Sequence, residues 1–517
     1  MILNHIYRSV FTVSLCFALA IFASSCGTTR RGFVPEQKFT ATQLQKDYTV
    51  FRNILEETHP SLYWFTSKDS MDYYFDEGYR KISDSMTERE FRTLLSFVVS
   101  KMKCGHTAVR YSQAYSAYLD TAHLKIFPVS IKAWGDTIAV TGNLNRNDSL
   151  LRRGTIITAI NGVPAAKLID TIFNYLSADG NAITGKYQAI SNRGNFGAFY
   201  KNVFGLPDTL EFSFYNRSNL GQTARIPAYD PLRDTGDKRP PLERKRPSRE
   251  EEKVIVMQSA RNVQVDTTLR SAFMTVNTFS RGHRLKKFFR KSFRVIDHMD
   301  LKYLVIDVRT NGGGDASNST FLTRYLIDKN FKIADSLYAV RRSSKYSKYI
   351  EMQSMYWFMM QFITHKKRDG KYHFGYLERH VFRPKKKHHF NGEIYLLTGG
   401  NSFSATALFA KKLQGQSNVT IVGEETGGGA YGNSAWMLPD VTLPVTGVRF
   451  SLPKFRLVMD QGAVAEGRGV MPDVEVPPTV ESIRRGVDPK VEAIKDIILG
   501  KMYSTGPATH QASSDHR

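Results

Sequence analysis

Cysteine is scarce: the 517 residues contain three, Cys16, Cys26 and Cys104. Cys16 lies in an apolar N-terminal stretch, residues 10–22, preceded by the positive Arg8. That stretch has the length and flank of an export signal and is too short to span a bilayer as an ordinary helix. With Cys16 lost on processing, an exported chain of this kind has no intrachain disulfide framework. Apolar runs of membrane-spanning length are missing from the rest of the sequence. Acidic residues are also in deficit, 48 against 72 basic ones, which leaves a net charge of +24. A surplus of that size suggests nucleic acid or an anionic surface. The cations, however, fall in separate runs at 238–249, 281–294, 366–368 and 385–389, with no nucleic-acid motif and no regular aromatic interleaving. Solvated faces and loops are therefore expected, and no nucleic-acid partner. No histidine–carboxylate set has ligand spacing, and His388-His389 is a lone pair within a basic run, so neither a metal nor another cofactor is expected.

The most informative stretch is 391–432. Ile394 to Thr398 is a short apolar run of strand formers, broken by Gly399-Gly400. Asn401 or Ser402 then caps a helix whose apolar residues Ala407, Leu408, Ala410 and Leu413 recur at helical spacing. Ser404 thus falls in the first turn of a helix that follows a buried strand. Unpaired amides and the helix dipole at such a place stabilise an oxyanion formed at a serine. The same pattern also fits serines that only cap the helix.

Residues 1–25 read as the signal and 26–39 as a linker. Residues 40–122 form a helical region, with Phe51, Ile54, Leu55, Phe91, Leu94, Leu95 and Val98 at spacings of three and four. It leads into Gly105-His106-Thr107, an exposed, turn-held histidine that serves as general base if the fold brings it to the serine. Residues 123–227 read as short strands with one helix, and Asn161-Gly162 marks a tight hairpin. Residues 228–264 carry prolines and charge runs and are expected to be a flexible linker. From 265 to 486 strand and helix alternate, an α/β pattern. The strand at Tyr303 is apolar enough to be buried on both faces and ends in Asn311-Gly312-Gly313-Gly314. No Lys-Ser/Thr pair follows these glycines, so a nucleotide cradle is not indicated. The amides of Gly312, Gly313 and Ala405 are candidates for one oxyanion hole. Residues 487–517 hold one short helix, at 491–498, and a polar tail.

Four runs occur in order: Asp307-x-Arg309-x-Asn311-Gly312-Gly313-Gly314, Ser402-Phe403-Ser404-Ala405, Gly423-Glu424-x-Thr426-Gly427-Gly428, and Glu466-Gly467-x-Gly469-Val470-x-Pro472-Asp473. With Gly105-His106-Thr107 they resemble the tail-specific (C-terminal processing) serine peptidase family over roughly residues 40–476. The resemblance implies an α/β, multi-domain fold: a helical region, a PDZ-like domain at 123–227 and a ClpP/crotonase-like α/β catalytic core. It also implies Ser404 as nucleophile and protein or peptide substrates, including C-terminal tails. One branch of the family pairs its serine with a lysine after the Gly-Glu-x-Thr run; here that place reads Gly427-Gly428-Gly429-Ala430. The sequence is closer to the branch that includes the tricorn core protease and the retinoid-binding-protein repeats, which implies His106 and Glu466 as the partners of Ser404. A non-catalytic binding protein on the same fold, holding a hydrophobic ligand or a peptide tail, is the alternative.

The export signal ends Ala23-Ser24-Ser25-Cys26, similar to a bacterial lipoprotein processing box. By that resemblance Cys26 is lipidated and Gly27 directs the chain to the outer membrane of a bacterial cell envelope. Last, residues 349–363 concentrate methionine and aromatics. They are expected to be a core-facing helix, or else a lid or substrate groove. Glu351, Gln353 and an uneven basic flank argue against membrane contact.

Overall fold

The computed structural model describes residues 33–145, 147–216, 218–233, 247–464 and 466–504. The export signal and Cys26 lie outside these residues, as does part of the 228–264 segment. Strands Ser271–Val276, Tyr303–Asp307, Glu393–Thr398 and Val419–Gly423 run parallel in the central sheet. Val474–Glu475 extends one edge in parallel, and Arg261–Asp266 closes the other in antiparallel. The inner strands are apolar at successive positions because packed helices cover both faces. Leu304, Ile306, Ile394 and Leu396 face Phe289, Phe293 and Phe409. Val305, Tyr395, Leu397 and Val422 face Ile494 and Ile498 on the opposite side. Helix Leu285–His298 buries Phe288, Phe289, Phe293 and Ile296 along one stripe, and each such side chain contributes roughly 1.5–3 kcal/mol. Because Tyr303–Asp307 pairs with Glu393–Thr398, the loops leaving their carboxyl ends are neighbours. One carries Gly312–Gly314 and the other Ser404.

The helical region packs onto this core. Helices Ala41–Thr58 and Glu88–Lys101 each start with a capping box, Thr40 with Gln43 and Thr87 with Glu90. Their apolar stripes share a cluster with Val441, Phe450 and Leu452. A three-stranded antiparallel sheet then joins the two parts, with Arg449–Ser451 between Asp440–Thr442 and Val109–Arg110. The loop bearing His106 is held there directly, since Ser451 Oγ donates to the His106 carbonyl at 2.8 Å.

The middle region is an antiparallel sheet of Val129–Trp134, Thr137–Asn143, Ile156–Ile160, Thr209–Tyr215 and Gly221–Pro227 over its own apolar cluster. Asn161 and Gly162 both have positive φ, 49° and 76°, as the expected hairpin requires. Buried Glu425 bolts this region to the core. It accepts from Arg468 Nε and Nη2, both at 2.8 Å, from the Gly469 amide at 2.7 Å, and from Thr184 Oγ1 of helix Ile183–Ser191 at 3.1 Å.

Three local readings are corrected. Residues 249–264 are not a flexible linker. Arg249–Ala260 is a helix with a Ser248–Glu251 capping box, and the chain passes straight into the edge strand. The methionine-rich helix, Gln353–Ile363, faces the core on one side only: Gln353 and Met360 are buried, and its other apolar side chains are half-buried or exposed. The C-terminal helix is longer than expected, Pro489–Ser504.

Candidate active site

Ser404 is not inside the first turn but at the N-cap of helix Ala405–Leu413, with φ 56° and ψ −123°. For a residue other than glycine this is strained backbone, and such strain persists only where its surroundings over-determine it. The surroundings are visible. Ser402 Oγ donates to the Val308 carbonyl at 2.9 Å and accepts from the Gly399 amide at 3.2 Å. The Phe403 amide donates to the Asn311 carbonyl at 3.2 Å, and the Gly428 amide donates to the Ser402 carbonyl at 3.1 Å. Ser402 is thus the structural serine that pins the turn. The Ser404 side chain caps nothing and lines an open cleft of about 1100 Å³ together with His106, Gly312, Ala405, Trp436 and Met437.

The triple-glycine turn stands against this serine. A side chain at Gly313 (φ 100°) would put its Cβ 2.7 Å from the Ser404 Cβ, so only glycine fits. Of the three amides expected to receive an oxyanion, that of Gly313 is already engaged, donating to Asn311 Oδ1 at 2.9 Å. The Ala405 amide is the first of its helix and has no intrahelical acceptor. Gly312 also lines the cleft.

His106 shares the cleft. Its ring is stacked on Phe403, centroids 4.5 Å apart, so the residue preceding the serine holds the imidazole. Neither ring nitrogen has a hydrogen-bond partner. The carboxylate facing Nδ1 is Asp179, 3.7 Å away, with both side chains almost fully buried. Asp179 Oδ1 accepts from the Gly105 amide at 2.7 Å, whereas Oδ2 is buried without a partner. Its negative charge is felt nearby: burial and then Asp179 push the Cys104 thiol up to about 11 and the Tyr431 hydroxyl above its ordinary range.

Glu466 is placed differently from Asp179. Its side chain is exposed, and its contact with this region is through its backbone carbonyl, which accepts from Asn181 Nδ2 at 3.0 Å. Asn181 also donates its amide to the Gly467 carbonyl at 2.7 Å, while the Gly180 amide donates to the Lys103 carbonyl at 2.9 Å. The short segment 179–181 therefore ties the His106 loop to the Glu466 turn. Lys411 is directed elsewhere, paired with Asp460 at 3.0 Å.

A polar layer supports the histidine loop from beneath. His59 Nδ1 accepts from the Ser61 amide at 3.1 Å, so the proton sits on Nε2, which donates to Thr107 Oγ1 at 2.9 Å. Burial, with the Arg456 charge adding to it, lowers His59 to about 3 and keeps it neutral.

Residues 270–476 match the model of peptidase family S41. Among solved structures, mature CPAF is 14% identical over 90% of this chain and 98% of that chain, with a TM-score of 0.60. Mature CPAF complexed with lactacystin is 14% identical over 89% and 98%, with a TM-score of 0.59. A serine-to-alanine mutant of CPAF is 12% identical over 90% and 98%, with a TM-score of 0.62. Identities this low speak for a common fold. No curated protein matches the sequence.

Proposed function

We propose that the chain is a serine peptidase, a reading supported by the match of residues 270–476 to the model of peptidase family S41, with Ser404 as its nucleophile and His106 as its general base. The observation that carries this reading is the strained backbone of Ser404, whose side chain caps nothing and lines the cleft that His106 and Ala405 also line. A serine hydroxyl is a poor nucleophile until a base takes its proton. In the proposed course the hydroxyl attacks a peptide carbonyl and His106 accepts its proton. The tetrahedral oxyanion forms against the amides of Ala405 and Gly312. His106 then protonates the leaving amine, and water hydrolyses the acyl-enzyme by the reverse sequence of proton transfers. A carboxylate behind the imidazole fixes its tautomer and stabilises the imidazolium. Asp179 is the acid nearest to Nδ1, and we assign it this role; Glu466 is the second candidate, favoured by the family resemblance.

The substrates proposed are protein or peptide chains, C-terminal tails among them. The site proposed is the bacterial cell envelope, with Cys26 as lipid anchor. A second reading, a binder of hydrophobic ligands, draws support from the apolar cleft wall of Phe382, Leu408, Trp436 and Met437. Turnover separates the two. Denatured envelope proteins offered as substrate are cleaved by the wild type and left intact by Ser404→Ala if the peptidase reading holds. Equal ligand capture by both, without cleavage, favours the binder.

A further inference from the structure

Helix Gln353–Ile363 is apolar on two opposite sides, and the protein covers one of them. Gln353, Tyr356, Met360 and Ile363 lie along the inward stripe, where Met360 and Ile363 join Leu337, Phe455 and Met437. The outward stripe is Met355, Phe358, Met359 and Phe362, flanked by Trp357. Phe358 is 59% and Phe362 69% exposed. Their rings meet edge to face at 4.9 Å, so the phenyls form one ridge. Contiguous exposed apolar surface of this kind marks a docking face. Gln353, which interrupts the pattern in the sequence, is buried and does not break the ridge.

The surrounding charge selects the partner. Arg341, Lys345 and Lys348 precede the helix and Lys366 and Arg368 follow it, all exposed, so both flanks, though uneven in number and spacing, are basic. Glu351 is the one acidic residue between 341 and 368. A second copy of the chain would set these cations against their own equivalents across a two-fold axis. An anionic phospholipid surface instead offers phosphates to the flanks and an apolar boundary to the methionines and aromatics. We propose that this helix lies in the plane of an anionic bilayer surface with its Met355–Phe362 face inserted among the headgroups. At 11 residues it is too short to span. Its inward stripe belongs to the same cluster as Trp436 and Met437, which line the cleft of Ser404, so docking holds that cleft near the membrane. The proposal stands independently of the lipid at Cys26.

The test uses the full chain carrying Cys26→Ser, so that no attached lipid contributes. Sedimentation is compared with vesicles of phosphatidylcholine plus phosphatidylglycerol and with phosphatidylcholine alone. Binding is expected to the anionic vesicles, to fall with added salt, and to drop about tenfold or more in Phe358→Glu/Phe362→Glu. Brominated lipids are expected to quench a fluorescence component that is absent from Trp357→Phe. The exposed pair Lys366→Glu/Arg368→Glu weakens binding as well and serves if the phenylalanine variant misfolds, and all variants keep Ser404 reactive towards a fluorophosphonate. Sedimentation that is absent, or unaltered in both double variants, overturns the proposal. So does self-association through Phe358 and Phe362 without vesicle binding.

Discussion

Asp179 Oδ1 stands 3.7 Å from His106 Nδ1, the nearest carboxylate oxygen to a ring neither of whose nitrogens has a hydrogen-bond partner. The Gly105 amide, next to the histidine in the chain, donates to the same oxygen at 2.7 Å. One carboxylate therefore holds the loop by a hydrogen bond and faces the ring from 3.7 Å.

Asp179→Asn is expected to lower the acylation rate by about 10²–10⁴, the scale on which loss of an imidazole-orienting carboxylate acts. Glu466→Gln is expected to act within about tenfold, since its carboxylate faces solvent. Single-turnover rates of the two variants, with thermal midpoints as folding controls, decide between the acids. The reverse ranking would give the role to Glu466.

Gly313→Ala is expected to abolish turnover while costing the fold about 1–3 kcal/mol. Its Cβ would meet Ser404 Cβ at 2.7 Å and the Ala405 amide nitrogen at 3.0 Å, both at the reacting centre. Denaturant midpoints and peptide turnover measured together check this. A folded Gly313→Ala chain with wild-type turnover would contradict the close approach.

His59 couples the histidine loop to acidity. Its folded-state value is about 3 against an ordinary 6.5, so between these the unfolded chain binds a proton that the folded chain refuses. The contribution is therefore fully present above about pH 6.5 and lost as pH falls towards 3. Thermal midpoints measured down this range are expected to fall more steeply for the wild type than for His59→Asn. Parallel slopes would show that His59 is not the linked group.

Arg468→Leu is expected to destabilise the chain by about 1–3 kcal/mol. It removes both guanidinium donors to Glu425, leaving a buried carboxylate with the Gly469 amide and Thr184 hydroxyl. Part of the loss should return in Arg468→Leu/Glu425→Leu, which removes the stranded charge, and urea midpoints of the two variants measure it. Equal midpoints for Arg468→Leu and wild type would make the pair a surface ornament of the fold.

Which parts of this arrangement were legible in the sequence follows from how local their causes are. The strand–turn–helix around Ser404, the Asn161-Gly162 hairpin and the triple-glycine turn are written in neighbouring residues, and each is where its pattern indicated. The helix Arg249–Ala260 had a readable start in Ser248 and Glu251, outweighed by the charge run in front of it. Asp179 had no such signal: it bonds Gly105 across 74 positions, and only tertiary packing brings the two together. The engagement of the Gly313 amide by Asn311 depends on one side-chain rotamer. Helix Gln353–Ile363 misled because a helix apolar on more than one side usually means burial, whereas this one keeps its second apolar face outward.

The most direct test of the central claim is covalent. A fluorophosphonate applied to the folded wild type should give a single adduct, located by peptide mass spectrometry on Ser404 and formed about 10³-fold or more slowly in His106→Ala. A folded wild type left unmodified, or modified at another serine with His106→Ala reacting equally fast, would contradict it.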